Sequence, residues 1–144
     1  MSALPLAGAF VRAHEGCRLA AYPDSGGVWT IGWGHAGTAV HEGLTWTQSQ
    51  ADAQLDADLA HASDAVARLK KRLLADQQAA ALISFVFNLG EGALASSTLL
   101  KLINDGRWLD ATKEFLRFDH AGGNESKGLL IRRLDEAALF LKGS

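Results

Sequence analysis

Apolar residues recur along much of the chain at intervals of three and four residues, which is the spacing of one face of an amphipathic helix. The longest such pattern covers residues 47–69 and predicts a helix of about five turns. Thr47 and Gln50 have the spacing of a capping box, so we expect the helix to begin there. The apolar positions that follow are Leu55, Leu59, Ala62, Val66 and Leu69.

Further helices are predicted on both sides of this one. A first helix covers residues 4–15 and ends before Gly16, since glycine is common just after a helix. Residues 76–87 are apolar almost all round, which is typical of a helix at the centre of a bundle, and Asp76 is its predicted cap. Shorter helices are predicted at residues 97–104, 108–118 and 129–142. One face of the last helix carries Leu130, Leu134, Ala138 and Leu141.

The pattern changes between the first helix and the longest one. From Leu19 to His41, glycines are interspersed with aromatic and β-branched residues, which favour strands. The pair Gly26-Gly27 fits a tight hairpin turn, because glycine reaches positive φ without steric cost. These residues predict a small antiparallel sheet of two or three short strands. Near the other end of the chain, the polar residues 119–127 predict a mobile loop.

Together these elements predict a single α+β domain that is mostly helical and covers residues 1–144. Strands and helices are segregated along the chain and do not alternate. We expect a small N-terminal sheet lobe at about residues 16–45. It should pack against a larger C-terminal helical lobe at about residues 70–144, to which the first helix also belongs, with a cleft between the two lobes.

The charge and cysteine content narrow the possible functions. With a formal net charge of −2 and a pI near 6.2, the chain has no general attraction for nucleic acid or anionic lipid, so we expect no nucleic-acid partner. Cys17 is the single cysteine, which excludes an intramolecular disulfide. Its thiol is interpreted as a small packed side chain, with a reactive thiol as the alternative.

Neither a cofactor nor a metal site is predicted. The five histidines are scattered without metal-ligand spacing, and the Gly26-Gly27 pair precedes a strand, whereas a phosphate-binding loop precedes a helix. The apolar residues 1–11 have no positively charged leader, so we expect no signal peptide. They are also too short for a transmembrane segment.

Candidate chemistry is concentrated in residues 15–35. Glu15 lies at the end of the first predicted helix, Asp24 in the hairpin turn and Thr30 on the strand that follows. Two carboxylates in different surroundings suit glycoside hydrolysis, in which one donates a proton and the other activates water or carries charge. Alternatively, Glu15 is a solvated helix end and Asp24 an ordinary turn residue. The spacing alone leaves both interpretations open.

The same residues carry a resemblance to a known family. Asp24 follows Glu15 by nine residues, and Thr30 follows six later, within His-Glu-Gly-Cys-Arg-Leu and Thr-Ile-Gly-Trp-Gly-His. This pattern resembles the catalytic signature of the phage-type lysozymes, glycoside hydrolase family 24. Residues 87–94, 97–100 and 128–139 resemble the later motifs of that family, in the same order. Trp33 and Ala36 depart from residues common in the family, at positions expected to line the cleft.

The resemblance implies a lysozyme-like fold, in which the helix at about residues 47–69 links the lobes, and a function as an endolysin. Such a peptidoglycan hydrolase, a muramidase, cleaves the β-1,4 bond between N-acetylmuramic acid and N-acetylglucosamine during lysis of the bacterial host. Glu15 would be the general acid, while Asp24 and Thr30 position or activate water. Two alternatives remain, a lytic transglycosylase and a wall-binding module without activity.

The resemblance also implies roles for residues near this signature. Tyr22, Gly34 and Phe87 are expected to bind substrate, although Phe87 is equally compatible with the core. His35 is expected to be a structural residue at the junction of the lobes, paired with Asp58 or with Asp56, or else exposed and unpaired. The protein would be a monomer in the host cytoplasm, and a separate holin-like membrane protein would give it access to the wall.

Overall fold

A computed structural model describes residues 2–118, 120–121, 124–125 and 127–144. None of the described helices is both long and apolar enough to cross a membrane. The predicted α+β, mostly helical class is confirmed. In chain order the elements are α1 (Ala3–His14), β1 (Arg18–Pro23), β2 (Trp29–Gly32), β3 (His35–Ala36), α2 (Gln48–Leu69), α3 (Asp76–Leu89), α4 (Glu91–Ala95), α5 (Thr98–Asn104), α6 (Trp108–Glu114), a 3₁₀ turn (Phe115–Arg117), β4 (His120–Ala121), β5 (Asn124–Glu125) and α7 (Lys127–Gly143).

The first three strands form the antiparallel sheet that the sequence predicts, in the order β1-β2-β3. Tyr22 on β1 lies opposite Thr30 on β2, and the register shifts between Arg18 and Tyr22. The hairpin between β1 and β2 includes Gly27 with a φ of +80°. The sheet therefore brings Tyr22 and Thr30 together and places Asp24 in the adjoining turn.

Helix α2 begins as the sequence predicts. Thr47 Oγ1 accepts a hydrogen bond from the Gln50 N–H at 3.1 Å, and Gln50 Oε1 accepts one from the Thr47 N–H at 2.8 Å. A side-chain cap of this kind typically stabilises a helix by about 1 kcal/mol. The predicted apolar face is also confirmed, since the buried residues are Ala51, Leu55, Leu59, Ala62, Ala65 and Val66.

Helix α3 is the central helix of the bundle, as predicted, and packs against α1, α2 and α7. Every residue from Ala80 to Val86 is buried. The prediction that Asp76 caps this helix is wrong, because Ala75 is the N-cap residue and its N–H is bonded to Gln78 Oε1 at 3.0 Å. Asp76 is instead the first helical residue, where a carboxylate complements the positive end of the helix dipole.

The buried face of α7 differs from its apolar stripe. Leu130, Leu134 and Leu141 are 37%, 46% and 49% exposed. The buried residues are Arg132, Arg133, Glu136, Ala137 and Phe140. These charges can be buried because they pair with one another and with groups on other helices.

Two predicted boundaries near the end of the chain need revision. Helix α7 begins at Lys127, two residues before the predicted start, and residues 108–118 form α6 followed by a 3₁₀ turn. Within the predicted loop at 119–127, β4 and β5 pair antiparallel. That residues 119–127 are mobile stays a prediction, and residues 119, 122, 123 and 126 lie outside the described residues.

Candidate active site

A cleft of about 560 Å³ opens between the β1–β3 sheet and helices α2 and α3. All eight site residues predicted from the sequence line this cleft, so the fold brings them together. His61, Asn88 and Glu91 line it as well, and the sequence analysis did not single them out. The predicted site residues are Glu15, Tyr22, Asp24, Thr30, Gly34, His35, Asp58 and Phe87.

Glu15 follows the last residue of α1 and is held at both its main chain and its side chain. Its N–H is bonded to the Val11 carbonyl at 2.8 Å, which completes the last turn of the helix. Arg132 on α7 donates from Nη1 to Glu15 Oε1 at 2.8 Å. The Arg132 side chain is only 5% exposed and that of Glu15 is 23% exposed. The carboxylate is therefore fixed at the edge of the cleft.

The second oxygen of Glu15, Oε2, lies against Gly34. A Cβ atom at position 34 would be 2.9 Å from Oε2 and 3.1 Å from Cδ, and the φ of Gly34 is +88°. Only glycine fits both the backbone angle and this close approach. A guanidinium has no acceptor and only donates, so Oε1 is occupied by the Arg132 N–H. Oε1 therefore faces the Arg132 guanidinium, and Oε2 faces Gly34.

Asp24 is fixed by the turn that contains it. Its Oδ1 accepts hydrogen bonds from the N–H groups of Gly26 and Val28, each at 2.8 Å. The Asp24 carbonyl accepts the Gly27 N–H at 2.9 Å. Within the described part of the chain, no protein group donates to Oδ2. The turn thus orients the carboxylate and leaves one oxygen available to a ligand or to water.

Thr30 is 5% exposed on β2 and also lines the cleft. Its hydroxyl donates to the Val28 carbonyl at 2.9 Å. Because the hydroxyl proton is used in this bond, Oγ1 has only acceptor lone pairs to offer a molecule in the cleft. Thr30 is therefore arranged to accept a hydrogen bond there.

Tyr22, opposite Thr30, has its ring against the Arg18 guanidinium, whose Cζ is 4.3 Å from the ring centroid. Burial raises the pKa of the Tyr22 phenol, and the negative charge of Glu15 raises it further, while Arg18 acts in the opposite direction. The phenol consequently remains protonated at neutral pH and can donate a hydrogen bond into the cleft.

The predicted contact between His35 and Asp58 is present. His35 Nδ1 is 2.7 Å from Asp58 Oδ2, and Gln54 Nε2 donates to Asp58 Oδ1 at 2.9 Å. Asp56, the alternative partner, lines a separate cavity between α1 and α2. The pair joins β3 to α2 and so ties the sheet to the long helix beside the cleft.

Two aromatic residues near the site differ in their surroundings. Phe87 is partly buried against the helical core and also lines the cleft. The core position and the cleft position considered for it from the sequence therefore both apply. Trp33, expected to line the cleft, instead packs against the core and donates its Nε1–H to Asp52 at 2.8 Å. Ala36, the other departure from the family pattern, lines the cleft.

A buried charged cluster behind Glu15 was missed by the sequence analysis. Arg133 Nε is 2.6 Å from Glu136 Oε1, and Arg133 Nη2 donates to Glu136 Oε2 at 2.9 Å. Burial raises the pKa of Glu136 and lowers that of Arg133, although the attraction between the two opposes both shifts. Ser84 on α3 donates to Glu136 Oε2 at 2.6 Å and accepts from Arg132 Nη2 at 3.3 Å. The available sequence signal was an arginine pair followed by a glutamate one helical turn later.

Comparison with known proteins places this site in a family. The profile of the phage lysozyme family matches residues 12–136. The endolysin of Salmonella phage P22 is 39% identical over 135 residues, which cover 91% of this chain and 92% of that protein. The endolysin of Bacillus phage B103 is 38% identical over 135 residues, which cover 92% of this chain and 51% of that protein. The chain thus spans about half the length of the Bacillus phage relative.

A solved structure agrees with these sequence relationships. The muramidase domain of SpmX from Asticaccaulis excentricus superimposes with a TM-score of 0.83 at 33% identity, and the match covers 94% of each chain. The family profile covers most of the chain and includes Glu15, Asp24 and Thr30. The resemblance seen in the sequence motifs is therefore confirmed, and the chain belongs to the phage lysozyme family.

Proposed function

We propose that the chain is a single catalytic domain with muramidase activity, which cleaves the β-1,4 bond between N-acetylmuramic acid and N-acetylglucosamine in peptidoglycan. Its role would be that of an endolysin in lysis of the bacterial host. The observation that carries this proposal is that Glu15, Asp24 and Thr30 line one cleft, with Glu15 fixed between Arg132 and Gly34. Membership of the phage lysozyme family and the muramidase named above support it.

Glu15 would act as the general acid that protonates the leaving oxygen of the glycosidic bond. Oε1 accepts the Arg132 N–H, so the proton that is transferred is the one on Oε2. The absence of a side chain at Gly34 gives Oε2 its place at the cleft. After the transfer, the carboxylate is negative, and the Arg132 guanidinium stabilises that charge.

Asp24 and Thr30 would hold the water that attacks the sugar. The free Oδ2 of Asp24 and the lone pairs of Thr30 Oγ1 are both acceptors. A water molecule that donates one proton to each would keep a lone pair for the sugar carbon. The Asp24 carboxylate would also take up the proton that the water loses.

The remaining cleft residues would bind substrate and hold the site together. We assign Tyr22, Gly34 and Phe87 to the surface that binds the sugars, because all three line the cleft. The His35–Asp58 pair would have a structural role, because it joins the sheet to α2. The protein would act as a monomer held in the host cytoplasm until a separate holin-like membrane protein opens a path to the wall.

The test compares Glu15→Gln with Glu42→Gln on purified peptidoglycan, measured as the release of reducing sugar. The amide at position 15 keeps the shape of the side chain but cannot serve as the acid. We therefore expect the rate to fall by ~10²- to 10⁴-fold. Glu42 is exposed and lies outside the cleft, so Glu42→Gln is expected to retain wild-type activity. Equal activity of the two variants would refute the role of Glu15.

A further inference from the structure

We infer that Ser84 and Glu136 are positioning residues for Glu15, acting through Arg132; this inference rests on the proposed function of Glu15 as the acid. Neither residue lines the cleft. Both are 0% exposed, on α3 and α7 respectively. Their effect on the reaction would consist of fixing the Arg132 guanidinium, which contacts the Glu15 carboxylate.

The hydrogen bonds between these groups have a defined direction. Glu136 Oε2 accepts the hydroxyl proton of Ser84 at 2.6 Å. With its proton directed at Glu136, Ser84 Oγ presents a lone pair to Arg132 Nη2, at 3.3 Å. The other terminal nitrogen of Arg132, Nη1, then donates to Glu15 Oε1 at 2.8 Å. Glu136 therefore orients Ser84, and Ser84 orients the arginine that holds Glu15.

Glu136 is itself held firmly. Arg133, which is 0% exposed, contacts both of its carboxylate oxygens, at 2.6 and 2.9 Å. Glu136 Oε2 is also 3.6 Å from Arg132 Nε, close enough for attraction between the charges. A long arginine side chain has several freely rotating bonds, and fixing them costs conformational entropy. The contacts from Ser84 and Glu136 offset that cost before substrate binds, so the Glu15 carboxylate is already in place.

This arrangement predicts which kinetic constant depends on Ser84. Ser84 does not line the cleft, so its removal should leave binding of peptidoglycan unchanged. Loss of the hydroxyl removes one of the groups that fix Arg132, and small displacements of a catalytic group can reduce rates by about 10²-fold. We therefore expect Ser84→Ala to lower kcat by about ten- to a hundredfold with little change in KM.

The matched control is Ser97→Ala. Ser97 is also buried, and its hydroxyl also makes two hydrogen bonds, to the Leu94 carbonyl at 2.7 Å and from the Leu100 N–H at 3.0 Å. It lies before α5, outside the cleft and outside the charged cluster. If loss of a buried serine acted only through stability, the two variants would have the same kcat under conditions in which both are folded. We expect Ser97→Ala to keep the wild-type kcat.

The assay measures reducing sugar released from purified, solubilised peptidoglycan, at a temperature where circular dichroism shows every variant to be folded. The His14–Asp135 contact, at 3.0 Å, also joins the end of α1 to α7 and does not involve Ser84. A kcat loss confined to Ser84→Ala supports the inference. Equal kcat values for Ser84→Ala and Ser97→Ala overturn it. Glu136→Gln is a second variant, expected to lower kcat in the same way.

A crystal structure of Ser84→Ala separates failure of this inference from failure of the proposed function. If the wild-type protein releases no reducing sugar, the proposed muramidase activity is wrong. The structure of the variant still tests the positioning. Displacement of Arg132 Nη1 from Glu15 Oε1 supports the inference, whereas an unchanged contact at 2.8 Å overturns it.

Discussion

Replacing Gly34 with alanine tests whether the position of the Glu15 carboxylate controls activity. The added Cβ would lie 2.9 Å from Oε2, 3.1 Å from Cδ and 3.4 Å from Oε1 of Glu15. The carboxylate must move away from it, but Oε1 is held by Arg132 at 2.8 Å. The movement therefore breaks or strains the contact with Arg132 and displaces the oxygen that carries the proton.

Gly34→Ala should have two effects that can be measured separately, a loss of stability and a loss of kcat. An alanine at a φ of +88° costs roughly 1–2 kcal/mol of stability, because its Cβ crowds the following carbonyl. The displaced Glu15 adds a loss of activity, expected to be about 10²-fold in kcat, since a catalytic group moved by about 1 Å loses that much. The variant should thus remain folded but be nearly inactive.

Gly43→Ala is the matched control for the backbone effect. Gly43 has a φ of +89°, and a Cβ added there meets no atom within 4 Å. The two variants should lose similar free energy of unfolding in urea, whereas only Gly34→Ala should lose activity on purified peptidoglycan. If both variants have the same kcat, the contact between Gly34 and Glu15 does not position the acid.

Two further predictions concern the junction between the sheet and α2. Because His35 and Asp58 are in contact at 2.7 Å and about three-quarters buried, a cycle of His35→Asn, Asp58→Asn and the double variant should give a coupling energy of about 1 kcal/mol in urea unfolding. Strict additivity would contradict a direct pair. The Trp33 N–H, and next the Gln48 amide, lower the pKa of Asp52 from its ordinary value of 3.8. A carboxyl with a lowered pKa in the folded state stabilises the protein fully above its unfolded value, and this contribution is lost as the pH falls through the folded value. The free energy of unfolding, measured from about pH 6 to about pH 2, should therefore fall less steeply with acid in Asp52→Asn than in the wild-type protein. An unchanged pH dependence would contradict a lowered pKa for Asp52.

Local sequence patterns predicted the elements whose stability is itself local. The capping box of Thr47 and Gln50 and the apolar spacing in α2 depend on residues three and four positions apart, so a short stretch contains all the information. The hairpin around Asp24 is predictable for the same reason. These local elements, together with the family motifs, were enough to predict that Glu15, Asp24 and Thr30 share one cleft, which they do.

The environment of Glu15 depends on contacts that no local pattern contains. Arg132 is 117 positions away from Glu15 along the chain. The apolar stripe of α7 indicated the wrong buried face, because the pairing of Arg132, Arg133 and Glu136 makes burial of those charges possible. The close approach of Gly34 to Glu15 is likewise visible only in the folded chain. Sequence reasoning thus predicted the residues proposed to react but not those that hold the Glu15 carboxylate in place.

In the proposed reaction the protein cleaves the glycan by adding water, with Glu15 as the acid. Digestion of purified peptidoglycan in water enriched in heavy oxygen, followed by mass spectrometry of the fragments, tests this claim most directly. We expect fragments with a reducing N-acetylmuramic acid end that carries one heavy oxygen atom, formed by the wild-type protein and absent with Glu15→Gln. Fragments ending in anhydro-sugars without heavy oxygen would indicate a lytic transglycosylase, and undigested glycan would indicate a wall-binding module; either result would contradict the account.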